Sequence, residues 1–186
     1  MKILVTGVGG QLGYDVCKVM DARKIENRGV DLADFDITDA QATHDYIAAY
    51  HPDAVIHCSA WTAVDKAEDE LDKVRAVNTE GPRNIAKVCK EIDAKMLYIS
   101  TDYVFPGTGE RFYEPDDPTG PLGAYGATKL GGELAVKEQL DNYFIVRISC
   151  CLLYTSNRQF VEDTWMTAKP HIQQEIVIVY ERDSGY

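Results

Sequence analysis

The chain has 186 residues and a mass of 20.8 kDa; its 45% hydrophobic and 26% charged content is that of a folded globular protein and argues against disorder. Thirty Asp and Glu against nineteen Lys and Arg leave a net charge of −11, which repels phosphate backbones and anionic lipid, so neither nucleic acid nor a membrane surface is expected as a partner. No apolar run is long enough to span a bilayer, MKILVTGVGG is unlike a secretory leader, and five cysteines without CxxC spacing fit reduced thiols, so a cytoplasmic location is expected.

Ile3 to Val5 is an aliphatic run ending in Thr6-Gly7 and predicts a buried parallel strand. Leu12, Val16, Val19 and Met20 recur at helical spacing and predict a helix from Gln11 to about Lys24. Short strands are expected at Arg28 to Asp31 and at Phe35 to Ile37. Thr38 or Asp39 then caps a helix running to about Tyr50, and a turn at His51-Pro52-Asp53 leads into a strand from Ala54 to Cys58. Leu71 to Ile92 reads as a long helix that Pro82 should kink or divide near Gly81. Met96 to Ser100 is the next strand, and Phe105 to Gly123 is an irregular loop rich in Pro, Gly and Asp. A helix from Tyr125 to about Leu140 and strands at Tyr143 to Ile148 and Glu175 to Tyr180 complete the reading. This rhythm predicts an α/β, doubly wound parallel sheet of Rossmann type with helices on both faces. Residues 1–149 would form a dinucleotide-binding domain, and 150–186 a divergent continuation.

Gly7, Gly10 and Gly13 stand three residues apart between the first strand and the first helix. Glycines there permit a tight turn, backbone approach to a pyrophosphate and close helix–sheet packing. The helix N-terminus supplies amides for the anion. An acidic residue should follow the second strand to hold the adenosine ribose. Asp31 fits, 18 residues after Gly13, and its charge would disfavour a 2′-phosphate; Asp34 is its rival. Asp36 and Ile37 lie where an adenine edge would sit, or simply end a strand and cap a helix. Tyr125 and Lys129 are four residues apart on a helix and share a face. An ammonium beside a phenol favours the phenolate, which lets such a pair exchange a proton with a carbonyl or alcohol near neutral pH. Thr101, at the end of the fifth strand, would hydrogen-bond the same oxygen or merely cap the strand end.

GVGGQLG, CSAWTAVDKAE, YISTDYVFPGTGE and YGATKLGGE together resemble the extended short-chain dehydrogenase/reductases. Within that family the stretches Thr62 to Glu68 and Ser100 to Gly109 resemble the dTDP-4-dehydrorhamnose reductase branch. The resemblance is dense from Met1 to about Ser149. It implies an oxidoreductase in which NADPH or NADH reduces the C4 ketone of dTDP-4-dehydro-L-rhamnose, a nucleotide-sugar substrate. It further implies Gly10, Gln11 and Leu12 on the cofactor pyrophosphate, and Ala60, Trp61 and Thr62 beside the nicotinamide-side ribose. Thr101 and Asp102 would contact the sugar. Tyr125 would be the proton donor, and Lys129 would also bind the nicotinamide ribose. A homodimer is compatible with the family, and no metal is implied.

The family continues past Ser149 with a Trp-Val-aromatic-Gly segment, whereas this chain reads Cys150-Cys151-Leu152-Leu153-Tyr154. The substrate-facing tryptophan therefore has no counterpart, and Trp165 is not a substitute for it. The expectation is a chain truncated or rearranged after residue 149. It would bind the dinucleotide in a half-open cleft, with turnover weak or absent. Two other roles remain open on the sequence. One is a non-catalytic nucleotide-binding subunit resembling the methionine adenosyltransferase β subunit; the other is a sugar-nucleotide epimerase or dehydratase.

Overall fold

Six parallel strands form one sheet in a computed structural model that describes residues 1–108, 113–148 and 174–178. The strands are β1 (Lys2–Thr6), β2 (Glu26–Val30), β3 (Ala54–His57), β4 (Lys95–Thr101), β5 (Tyr143–Ile148) and β6 (Gln174–Ile178), in the order β2-β1-β3-β4-β5-β6. Val5 of β1 stands opposite Gly29 on one side and Ile56 on the other. The helices are α1 (Gln11–Ala22), α2 (Ala40–Tyr50), α3 (Val64–Asp69), α4 (Leu71–Arg75), α5 (Gly81–Glu91) and α6 (Ala124–Gln139). The expected doubly wound sheet is observed.

Central strands of such a sheet are apolar on both faces, because helices cover both. Leu4 and Val55 join Ile47, Ile85 and Val136 of α2, α5 and α6 in one buried cluster. Ile3, Val5 and Ile56 join Val16 and Met20 of α1 in the other. β2 is an edge strand, which is why Glu26 and Asn27 are tolerated in it.

The strand expected at Phe35 to Ile37 does not exist; these residues belong to a connection between β2 and α2. Phe35 is buried and stacks on Tyr46 of α2 with ring centroids 4.8 Å apart. The Asp36 carboxylate accepts from both the N–H and the hydroxyl of Thr38, each at 2.8 Å. The apolar side chains thus anchor a turn and do not extend the sheet. Of the two candidate caps for α2, Asp39 is the one used, accepting from Gln41 and Ala42 N–H at 2.9 and 3.0 Å.

The helix expected over Leu71 to Ile92 keeps right-handed helical backbone through Glu80 and Gly81 and is distorted, not broken, ahead of Pro82. Ala76–Glu80 widen into a π-helical turn, and Pro82 follows at the start of α5. Helix α3, before it, was not anticipated. No helix or strand occurs among the described residues of the Phe105 to Gly123 loop. Cys150, Cys151, Trp165 and the rest of the expected 150–186 continuation lie outside the described residues, apart from β6, which begins one residue earlier than predicted.

Candidate functional site

From β1 the chain runs to β2 on one side and then crosses to β3 on the other, so the strand order reverses at β1. In open α/β sheets a crevice opens at that point, over the carboxyl ends of the strands. Here it is a cleft of about 950 Å³. Its walls include Gly7, Gly10, Gln11, Leu12, Gly13, Asp31, Asp36, Ile37, Ala60, Trp61, Thr62, Thr101, Asp102, Tyr125 and Lys129. Every site residue expected from the sequence therefore reaches one cavity.

Gly7 leaves β1 with φ +76°, a left-handed conformation that favours glycine, and its N–H donates to Val30 O at 2.9 Å. A Cβ on Gly13 would lie 2.4 Å from Gly7 O, so α1 approaches the turn more closely than any side chain allows. α1 then starts at Gly10 with no side chain capping it. A helix N-terminus of this kind is suited to hold a pyrophosphate. Asp31 sits at the tip of β2, its carboxylate accepting Gly9 N–H at 2.5 Å and Leu32 N–H at 2.8 Å. Its rival Asp34 turns back onto Asp31 N–H at 2.8 Å and does not line the cleft.

At the other end of the cleft α6 presents Tyr125 and Lys129. The Tyr125 ring meets Tyr103 edge-on at 5.6 Å. Lys129 is buried; its ammonium donates to Ile99 O at 2.7 Å and lies 4.2 Å from the centre of the Tyr98 ring. Burial pushes this lysine down to about 7, with Glu133 and Cys58 acting in the opposite sense. The Thr101 hydroxyl donates to Asp102 Oδ1 at 3.1 Å and accepts Tyr103 N–H at 3.3 Å, so it also caps the short turn Asp102–Val104.

Several residues that organise the site were not read from the sequence. Asn78, buried in the π-helical turn, grips the backbone of Trp61 at both ends: Oδ1 accepts Trp61 N–H at 2.8 Å and Nδ2 donates to Trp61 O at 3.1 Å. Its Nδ2 also reaches Thr128 of α6 at 3.4 Å, tying the loop after β3 to the helix bearing Tyr125. Glu68 of α3 accepts Ala124 N–H at 2.8 Å and so caps α6 from outside the helix. The Gly81-Pro82 pair was the one sequence signal near Asn78; nothing in the sequence singled out Glu68. His57, buried under the cleft, pairs through Nδ1 with Thr6 Oγ1 at 2.7 Å. Burial and the nearby Lys129 push it down to about 3, so it is neutral near pH 7.

Among the described residues no group of His, Cys, Asp and Glu could hold a metal ion, and no helix is long and apolar enough to cross a membrane.

The chain is similar to the dTDP-4-dehydrorhamnose reductase of Streptomyces griseus, with 47% identity over 145 residues, 77% of this chain and 48% of that protein. The corresponding reductase of Mycobacterium tuberculosis is 34% identical over 180 residues, 95% of this chain and 59% of its own length. That similarity therefore runs on past Ser149. Among solved structures, a dTDP-4-dehydrorhamnose reductase of Bacillus anthracis in complex with NADP matches with a TM-score of 0.77 and 38% identity, over 80% of this chain and 54% of that one. The chain thus spans about half the length of the relatives it matches. The profile of the RmlD substrate binding domain family matches residues 1–183, and the chain belongs to that family.

Proposed function

We propose that the cleft seats a reduced nicotinamide dinucleotide and that this chain supplies the cofactor-binding and proton-donating part of a reductase acting on the C4 ketone of dTDP-4-dehydro-L-rhamnose. The observation that carries this reading is the meeting, in one cleft, of the glycine turn and Asp31 at one end and Thr101, Tyr125 and Lys129 at the other. The cradle suits the group: Gly7 takes a left-handed φ and a Cβ on Gly13 would strike Gly7 O, so the backbone of the turn and the start of α1 come close together at the place of the pyrophosphate. The relatives named as dTDP-4-dehydrorhamnose reductases support the substrate class.

When bound, the reduced nicotinamide supplies the hydride for the ketone carbon. The chain's own residues do the rest. Gly10, Gln11, Leu12 and the N-terminus of α1 take the pyrophosphate. Ala60, Trp61 and Thr62, held by Asn78, flank the nicotinamide-side ribose. Tyr125 donates its phenolic proton to the ketone oxygen as that oxygen gains charge. Lys129 stabilises the phenolate left behind and hydrogen-bonds the ribose. Thr101 turns its hydroxyl proton from Asp102 to the same oxygen, and Asp102 orients the sugar. Asp31 accepts from the ribose hydroxyls at the adenosine end. Lys129 is the one Lys or Arg among the described residues lining the cleft, so nothing there offsets the charge of a 2′-phosphate beside Asp31 and Asp36. NADH should therefore bind about tenfold tighter than NADPH, and Asp31→Asn should narrow the gap.

Absorbance of NADH during addition of the keto-sugar tests the reading. NADH should be consumed only when the sugar is present, and Tyr125→Phe should abolish consumption while leaving NADH affinity within about threefold. NADH binding without any sugar-dependent consumption would favour a non-catalytic nucleotide-binding role, and an epimerised product found by NMR would favour an epimerase.

A further inference from the structure

Behind the cleft lies an ion pair that the proposed chemistry does not use. Glu133 of α6 and Arg147 of β5 are both buried. Arg147 Nε donates to Glu133 Oε1 at 2.9 Å and Nη2 to Oε2 at 2.7 Å, a two-pronged fork. Glu133 Oε1 also accepts the Ser100 hydroxyl at 2.5 Å. Ser100 is the residue before Thr101. On its other side Arg147 Nη1 donates to Pro115 O at 2.8 Å, and its guanidinium lies 5.1 Å from the centre of the Phe105 ring. Phe105 in turn stacks flat on Tyr113 at 4.3 Å, and Tyr113 accepts Thr108 N–H at 3.0 Å. One arginine therefore touches the catalytic helix, the end of β4 and both described ends of the loop that follows it.

A buried pair of this sort adds little net stability compared with apolar residues of the same volume, because two ions must be desolvated. Its directional bonds instead specify geometry. We propose that the Glu133–Arg147 fork is the positioning device for the substrate-side wall, fixing the Ser100-Thr101 strand end and the segments Phe105–Thr108 and Tyr113–Asp117 against α6. The phrase "substrate side" rests on the function proposed above; the mechanical coupling does not. Glu133 is also the third member of the stripe Tyr125, Lys129, Glu133, four residues apart along α6. The fork thus connects the loop to the face that carries the proton-transfer pair.

Hydrogen exchange read by mass spectrometry on the full chain tests the coupling. Arg147→Lys keeps the charge but loses the fork and the stacking, and Glu133→Gln keeps an acceptor for Ser100 but loses the charge. In both, amides of Thr101–Thr108 and Tyr113–Asp117 should exchange about tenfold faster, while those of β1 and the glycine turn stay unchanged and NADH affinity stays within about threefold. A double replacement, Glu133→Leu with Arg147→Met, should fold at least as stably as either single variant and still leave the loop amides unprotected. Unchanged loop exchange in the single variants, or acceleration spread evenly over β1, α1 and the loop, would overturn the proposal. In the keto-sugar assay Arg147→Lys should lower kcat with little change in the KM for NADH. If the wild-type chain proves inactive in that assay, the proposed function fails and the exchange result still decides this inference.

Discussion

Gly13→Ala offers the sharpest test of the glycine turn. The new Cβ would stand 2.4 Å from Gly7 O, 2.8 Å from Gly7 C and 3.0 Å from Val8 Cα, all of them backbone atoms. Carbon atoms sit comfortably at about 3.5–4.0 Å, so α1 and the turn must separate by roughly 1 Å. No flexible side-chain end is available to move aside. Overpacking of this kind costs about 1–3 kcal/mol, or a fall in Tm of roughly 2–12 °C for a chain of this size. The same displacement spoils one or two charge-assisted bonds to a pyrophosphate, worth about 1.5–3 kcal/mol each, so NADH affinity should fall by at least tenfold and more nearly a hundredfold. Gly10→Ala is the control, because its Cβ would lie 3.3 Å from Gly7 O and needs only a few tenths of an ångström of relief. It should obstruct the pyrophosphate yet cost under about 1 kcal/mol of stability. Thermal melting and calorimetric titration with NADH read both effects. A Gly13→Ala chain that melts and binds NADH like the wild type would refute the packing argument.

Other perturbations act on the supports of the site. Asn78→Ala leaves the half-buried N–H and C=O of Trp61 without their partner and should cost about 1–3 kcal/mol in urea unfolding, with weaker NADH binding; Asn78→Asp, which sets a buried carboxylate oxygen against Trp61 O, should cost at least as much. Glu68→Ala removes the cap on α6 and should lower stability by about 1 kcal/mol, while Glu68→Gln keeps most of it; equal melting of both would contradict the capping role. Lys129 gives a pH signature. Its folded value is lowered from 10.5 to about 7, so between those limits the unfolded chain holds a proton that the folded chain has released. Stability should therefore rise with pH across that window by up to about 1.4 kcal/mol per unit, and the cost of burying the charge is fully present below about pH 7. Lys129→Met should flatten this slope in urea titrations; an unchanged slope would show that the rise comes from other groups.

What the sequence makes legible is governed by periodicity and by glycine. β1, β3 and β5 are short, mainly apolar runs, and they were found within a residue or two because burial on both faces leaves few polar positions to confuse the pattern. The edge strand β2 was placed two residues late at its start, since exposed Glu26 and half-buried Asn27 carry no apolar signal. Phe35 and Ile37 were misread because an apolar residue packing a connection onto α2 looks the same as one entering a sheet. The cleft residues were legible because glycine spacing and the Tyr125–Lys129 interval encode local geometry. Asn78, Glu68 and the Glu133–Arg147 fork were not, since each acts across elements far apart in the chain. Such pairings depend on which helix lies against which strand end, and that is known only once the sheet is assembled.

A crystal structure of the chain bound to NADH bears most directly on the whole account. It should show the pyrophosphate on the amides of Gly10 to Gly13, the adenosine ribose against Asp31, and the nicotinamide between Tyr125, Lys129 and the loop held by Asn78. A dinucleotide lying in the opposite direction, or bound outside the cleft with the Tyr125 hydroxyl far from the nicotinamide, would contradict it.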